Sequence, residues 1–165
     1  RDVAPSRGLG DVYKRQKKNG ERHFGYKDHV KCDADSKLIT NYSVTSASVH
    51  DSQRCLVFIG QEDEVLYADS AYSGKPIALA LPENCKNQIC EKGYRNSPLT
   101  SEQKMNNRRK SRIRCRIEQI FGFMTGAMHG ITIRSIGITR AWMNIGITNL
   151  VYNFCRYSYL KGASA

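Results

Sequence analysis

The hydrophobic pattern is strand-like through the first half of the chain and helix-like through the second. From His23 to Cys32 the sequence HFGYKDHVKC alternates polar with apolar or aromatic side chains, the period of a strand whose two faces meet different surroundings. The following DADSK is turn chemistry and Leu38 to Val44 resumes the β pattern, so this stretch predicts a hairpin. Ser48-Val-His-Asp51 supplies N-cap candidates for a short helical segment reaching about Ile59. Glu64-Val-Leu-Tyr-Ala-Asp69 predicts a short apolar strand that ends on an acid and leads into the small residues Ser70, Ala71 and Gly74. A short helix from Lys75 to about Leu81 is stopped by Pro82, and Gln88-Ile-Cys90 predicts another brief strand.

Residues 93 to 101 carry loop chemistry in Gly93, Asn96, Ser97 and Pro98. A long helix then starts near Thr100-Ser-Glu-Gln, whose cap residue and acidic follower suit an N-terminus. Within it Ile113, Ile117, Ile120 and Met124 recur at i, i+4, i+7 and i+11, a narrow stripe expected to face the core. Gly126, Gly130 and Gly137 interrupt the pattern. A last helix from about Ile138 to Tyr159 is expected to present Trp142, Ile145, Tyr152 and Cys155 on one face. Short strands mixed with helices place the chain in the α/β class.

Length allows one domain with a real core and would crowd a second. Residues 1–16, RDVAPSRGLGDVYKRQ, show no hydrophobic period and resemble a translated adapter sequence. They are read as non-native and set aside, which leaves 17–165 as the folded domain. With 40% hydrophobic and 25% charged residues the composition is that of an ordinary globular protein. No apolar run is long enough to span a membrane, so no membrane partner is expected.

Charge changes the picture more than composition does. Residues 17–103 carry 11 Lys and Arg against 12 Asp and Glu, whereas residues 104–165 carry 11 basic groups against the single acid Glu118. Seven cations, Lys104, Arg108, Arg109, Lys110, Arg112, Arg114 and Arg116, fall within thirteen residues of the long helix. Clustered Lys and Arg gain affinity by releasing counterions from phosphates, so a polyanion is the expected partner, with a solvated basic face as the plainer alternative. The six cysteines form no C-x-x-C pair. Cys85 and Cys90 with His23 or His29 lack the spacing of a zinc site, and reduced thiols of a cytosolic protein are the simpler reading.

Two acids are placed as catalysis requires. Asp69 closes a strand and small residues follow it, which lets a phosphate or metal approach; Glu118 sits on a helix otherwise crowded with cations. A carboxylate pair suits Mg²⁺, which takes oxygen ligands, and two such ions stabilise the attacking and leaving oxygens of an in-line phosphoryl displacement. The plainer alternative for Asp69 is a turn or cap residue. At about 100° per residue, Ser111, Arg114, Glu118 and Thr125 share one flank beside the apolar stripe. Arg114 and Glu118, four apart, also fit an ordinary surface ion pair with the basic residue first, the less favourable order.

LYADSAYSG at 66–74 and SRIRCRIEQIFGFM at 111–124 resemble the second-acid and third-acid motifs of DDE-class insertion-sequence transposases. His23-Phe-Gly-Tyr-Lys-Asp-His29 with Asp33, Ala47-Ser-Val-His-Asp51, and Asn149-Leu-Val-Tyr-Asn153 with Arg156 match further landmarks in the family's order. The resemblance covers about residues 21–160. It implies an RNase H-like mixed β-sheet flanked by helices, N-terminally truncated here, since the family's first acid lies on a strand upstream of the hairpin. Asp11, Asp28, Asp33 and Asp35 are not in position to replace it. It further implies Asp69 and Glu118 as catalytic acids and metal ligands for Mg²⁺ or Mn²⁺, two ions in the intact parent. Arg114 is the basic residue of the extended glutamate motif, with Arg108, Arg109, Lys110, Arg112 and Arg116 as DNA contacts. Where that motif commonly has Tyr and Lys this chain has Ser111 and Thr125, so only Arg114 and Glu118 carry over. The implied partners are double-stranded DNA at transposon ends and target and a second copy of the protein on DNA, in a bacterial cytoplasm. The implied reaction is strand cleavage followed by strand transfer, with a chain lacking the first acid expected to be inactive. An RNase H-like nuclease and an inactive DNA-binding domain are the alternatives.

Overall fold

The computed structural model describes residues 16–18, 21–23, 25–49, 52–130, 132–134 and 136–163. Most of the segment set aside as non-native, and His50 and Asp51 of the proposed cap, lie outside the described residues. Strands β1 (Gln16–Lys18) and β2 (Glu21–His23) pair antiparallel, and β3 (Tyr26–Cys32) and β4 (Ile39–Ser46) form the expected hairpin. Helix α1 (Ser52–Phe58), strand β5 (Val65–Leu66), helix α2 (Lys75–Ala80) and strand β6 (Lys86–Asn87) follow. Helices α3 (Ser101–Arg114), α4 (Arg116–Gly126) and α5 (Ile138–Ala163) complete the order.

The α/β class holds, but the strands are distributed differently from the expectation. Among the described residues they form three two-stranded sheets, β1-β2, β3-β4 and β5-β6, not one mixed sheet. Only β5 and β6 run parallel, joined through α2 as a crossover requires. Their pairing extends beyond the strand bounds: the N–H groups of Lys86, Gln88 and Cys90 donate to the carbonyls of Glu64, Leu66 and Ala68 at 2.8, 2.9 and 3.0 Å. The expected strand at 88–90 is therefore the far end of this ladder, and Asp69 is the next residue along its partner.

The β3-β4 hairpin is covered on both faces, which explains its mixture of apolar and polar side chains. Alternate residues point to opposite sides. Tyr26 and Val30, with Tyr42 and Val44 of β4, meet α4 and α5. On the other side His29 bonds Thr45 Oγ1 at 2.7 Å, and Lys31 Nζ donates to Phe58 O at 3.0 Å and to the Asp63 carboxylate at 2.6 Å. On this side the buried His29 and Thr45 satisfy each other, as burial demands.

Three of the four stripe residues of the long helix pack as expected, while Ile113 stands outside this core and lines a surface cavity. Ile120 and Met124 are completely buried with Ile39 and Tyr152, and Ile117 is half-buried against them. The single helix is instead two, notched at Cys115, where an N–H of Glu118 reaches the Cys115 carbonyl in a tighter turn. On α5 the expected face is corrected. Ile145 and Tyr152 are buried, but Trp142 is 44% exposed and Cys155 is exposed; Ala141 and Asn149 complete the buried row. A polar Asn149 broke the apolar pattern and displaced the reading of the face by about one residue.

The second half of α5 holds the hairpin turn. Tyr152 Oη donates to Lys37 O, Arg156 Nε to Ser36 O, and Asn153 bonds both the N–H and the C=O of Ile39 at 2.8 Å. Within the turn Asp33 accepts from Ser36 Oγ and Ser36 N, which holds its carboxyl below the ordinary carboxylate range, and Lys37 takes a left-handed backbone, φ 61°.

Candidate nucleic-acid interface and acid pair

Asp69 is exposed and serves locally as a cap. Its Oδ1 accepts from Ser70 N at 2.6 Å and starts a 3-10 turn over Ser70–Tyr72. The plainer reading of Asp69 as a cap is thus observed, and it occupies one carboxylate oxygen in that bond.

Helix α3 lies against the far end of the parallel ladder. Lys110 Nζ donates to Ile89 O at 3.0 Å, Asn107 bonds both the N–H and the C=O of Glu91 at 2.9 Å, and Cys90 Sγ stands 3.7 Å from Ser111 Oγ. Since Cys90 pairs with Ala68, these contacts run from the residue before Asp69 to the face of α3 that leads into Arg114 and Glu118. A cavity of about 410 Å³ opens at this junction, lined by Tyr67, Gln88, Asn106, Arg109, Lys110 and Ile113. A second, of about 460 Å³, has Ser73, Gly74 and Lys75 from the loop after Asp69 on one side and Glu91 and Lys110 on the other.

The helix start is fixed by a capping box: Thr100 Oγ1 accepts from Gln103 N while Gln103 Oε1 accepts from Thr100 N. No residue of α3 is buried. Its basic side chains divide into two groups. Arg108, Arg109 and Arg112 are exposed and make no ion pair or hydrogen bond with the described residues. Lys110, Arg114 and Arg116 are half-buried and engaged: Lys110 on Ile89, Arg114 on Glu118 at 2.8 Å, and Arg116 on Ala34 O and on Asp35 at 3.2 Å. All six had been expected to meet DNA. The geometry gives three of them prior work inside the protein.

Glu118 lies in the first turn of α4, where a negative charge is favoured by the helix dipole, and its side chain is 60% exposed. Of the two flank positions that departed from the motif, Ser111 meets Cys90, and Thr125 turns its hydroxyl back to Phe121 O at 2.9 Å. Asp69 and Glu118 offer the hard oxygen donors Mg²⁺ prefers. In number they fall short: among the described residues no three His, Cys, Asp or Glu side chains are grouped to hold a metal ion, and the zinc idea involving Cys85, Cys90 and His29 finds no such group either. Among those residues no helix is long and apolar enough to cross a membrane.

The sequence does not single out Asn107, and it marks Asn153 and Tyr67 only as members of family motifs, without their contacts. Both asparagines close the two backbone groups of a single residue on a neighbouring segment, a role whose only sequence signal is a carboxamide inside a helix. Tyr67 shares a strand face with Asp69 by the two-residue period, which was available as a clue.

Comparison with known proteins is consistent with this arrangement. The chain is 32% identical over 109 residues to the transposase for insertion sequence element IS1106 of Neisseria meningitidis serogroup B, a match covering 64% of this chain and 38% of that protein. The matched stretch thus spans well under half the length of the relative. No solved structure matches significantly. The sequence profile described as the transposase DDE domain matches residues 4–154, which takes in part of the segment set aside above as well as both acids, and the chain belongs to that family.

Proposed function

We propose that this chain is the part of an insertion-sequence transposase that grips DNA and presents two of its catalytic acids. The parent enzyme cuts transposon-end DNA and joins it to target DNA. The observation that carries this reading is the junction of the basic helix with the acid-bearing strand, where Arg109 and Tyr67 line one cavity.

On this reading Arg108, Arg109 and Arg112 hold phosphates on the open side of α3. Such contacts position DNA without reading its sequence. Lys110, bonded to Ile89 O, fixes α3 to the strand pair, and Arg114 orients Glu118. Asp69 and Glu118 are the catalytic acids and two of the metal ligands of the parent, which supplies Mg²⁺ or Mn²⁺ chemistry only with a further ligand. The fold of the parent is an RNase H-like sheet, and the enzyme works as a homodimer on paired ends. An inactive DNA-binding domain is the second reading, since among the described residues Asp69 and Glu118 are not grouped with a third metal-binding side chain.

Incubating the chain with a duplex ending in the element's terminal sequence, plus Mg²⁺ or Mn²⁺, separates the readings. Binding without cleavage is the expected result for this chain. Cleavage without joining would favour a nuclease, cleavage with joining would show that the two acids suffice, and no binding to DNA would remove the basis of the proposal.

A further inference from the structure

We propose that Asp28 and Asn149 form a proton-operated clasp: one proton on Asp28 Oδ2, donated to Asn149 Oδ1, closes a cyclic acid–amide pair that locks α5 to the hairpin. This inference is independent of the DNA reading. Asn149 Nδ2 already donates to Asp28 Oδ1 at 3.4 Å, a long bond that leaves the pair half made. The other two oxygens, Asp28 Oδ2 and Asn149 Oδ1, are shut off from water and have no partner among the described residues. Both are acceptors while Asp28 is ionised, so neither can satisfy the other. Protonation turns one into a donor, and the soft terminal torsions of Asp and Asn let the ring close. A single proton from solvent therefore removes both unsatisfied groups.

His29, the neighbouring β3 residue, points to the face opposite Asp28 and bonds Thr45 Oγ1. From β3 the face of Asp28 presents Tyr26 and Val30, from β4 Tyr42 and Val44, and from α5 Ile145 and Tyr152 on the turns flanking Asn149. Burial pushes the Tyr152 phenol above its ordinary value. The cations of β3 point the other way: Lys27 bonds Val49 O and Lys31 bonds Asp63. Burial pushes the Asp28 carboxyl from its ordinary 3.8 up to about 6, and the Asn149 amide pulls it back only in part. Because the folded-state value is raised, the stabilising contribution is complete below about pH 4 and is lost as the pH rises through 6. Two units correspond to roughly a 100-fold change in the folding equilibrium constant from this group.

The test is denaturant unfolding of the full chain and of Asp28→Asn at pH 4.5 and pH 7. Asn at 28 carries a permanent donor in place of the proton. The expected result is a folding constant only several-fold higher for the variant at pH 4.5 and roughly 100-fold higher at pH 7, with Asn149→Ala at pH 7 more damaging in the variant, where the ring is closed, than in wild type. An Asp28→Asn variant that is no more stable than wild type at pH 7, or an equal gain at both pH values, overturns the clasp. Should the variant fail to fold, carboxyl carbon-13 titration of the wild type decides: a midpoint near 6 supports the proposal, and one below 4.5 refutes it.

Discussion

Two regions of this molecule use the same hydrogen-bonding device and end up with opposite characters. In each, an asparagine inside a helix closes both backbone groups of one residue on a neighbouring segment: Asn153 on Ile39, and Asn107 on Glu91. Around Asn153 the contacts multiply, with Tyr152, Arg156 and the buried Ile120 and Met124 all holding the β3-β4 turn against α4 and α5. Around Asn107 the helix buries nothing, and arginines stand in water beside the strand that ends on Asp69. A carboxamide clamp sets position in both places. What differs is the apolar packing behind it, and this separates a scaffold from a surface left open for a partner.

Truncating the scaffold should have the largest effect. Ile120→Ala removes a fully buried side chain from the centre of the α4-α5-hairpin core and should cost about 2–5 kcal/mol in denaturant unfolding. The paired asparagines test the comparison itself. Asn153→Ala strands two backbone groups at a nearly buried residue and should cost about 1–3 kcal/mol, whereas Asn107→Ala, with water close by, should cost under about 1 kcal/mol. Equal losses would mean that the two regions do not differ as described.

Much of the scaffold was readable because its physics is periodic. Alternation in HFGYKDHVKC announces the hairpin, and the spacing of Ile117, Ile120 and Met124 announces the buried stripe, which Ile113 does not join. The parts that escaped depend on contacts far apart in sequence. Asn149 is buried although polar, since it meets Asp28 across 121 residues, and no local pattern reports that. The notch at Cys115 is a matter of one backbone turn within an otherwise helical run. At the candidate site, Asp69 and Glu118 were legible from a strand end and from an acid among cations. The division of the arginines was not, because Arg116 is occupied by Ala34 and Asp35 at the hairpin turn, more than eighty residues earlier.

Glu118→Gln sharpens the contrast from the open side. Its ion pair with Arg114 is solvent-exposed, so unfolding should shift by no more than about 0.5 kcal/mol. A large loss would assign Glu118 to the scaffold and weaken its reading as a reacting acid.

The central claim is that the open face of α3 binds nucleic acid, and duplex DNA binding measured by fluorescence anisotropy across salt concentrations tests it most directly. The account predicts that log affinity falls linearly with log salt, with a slope of about −2.7 or steeper if Arg108, Arg109 and Arg112 each neutralise a phosphate. Replacing the three by glutamate should abolish that binding while leaving the melting temperature within a few degrees. Affinity that is insensitive to salt, or that survives the triple replacement, would contradict the account.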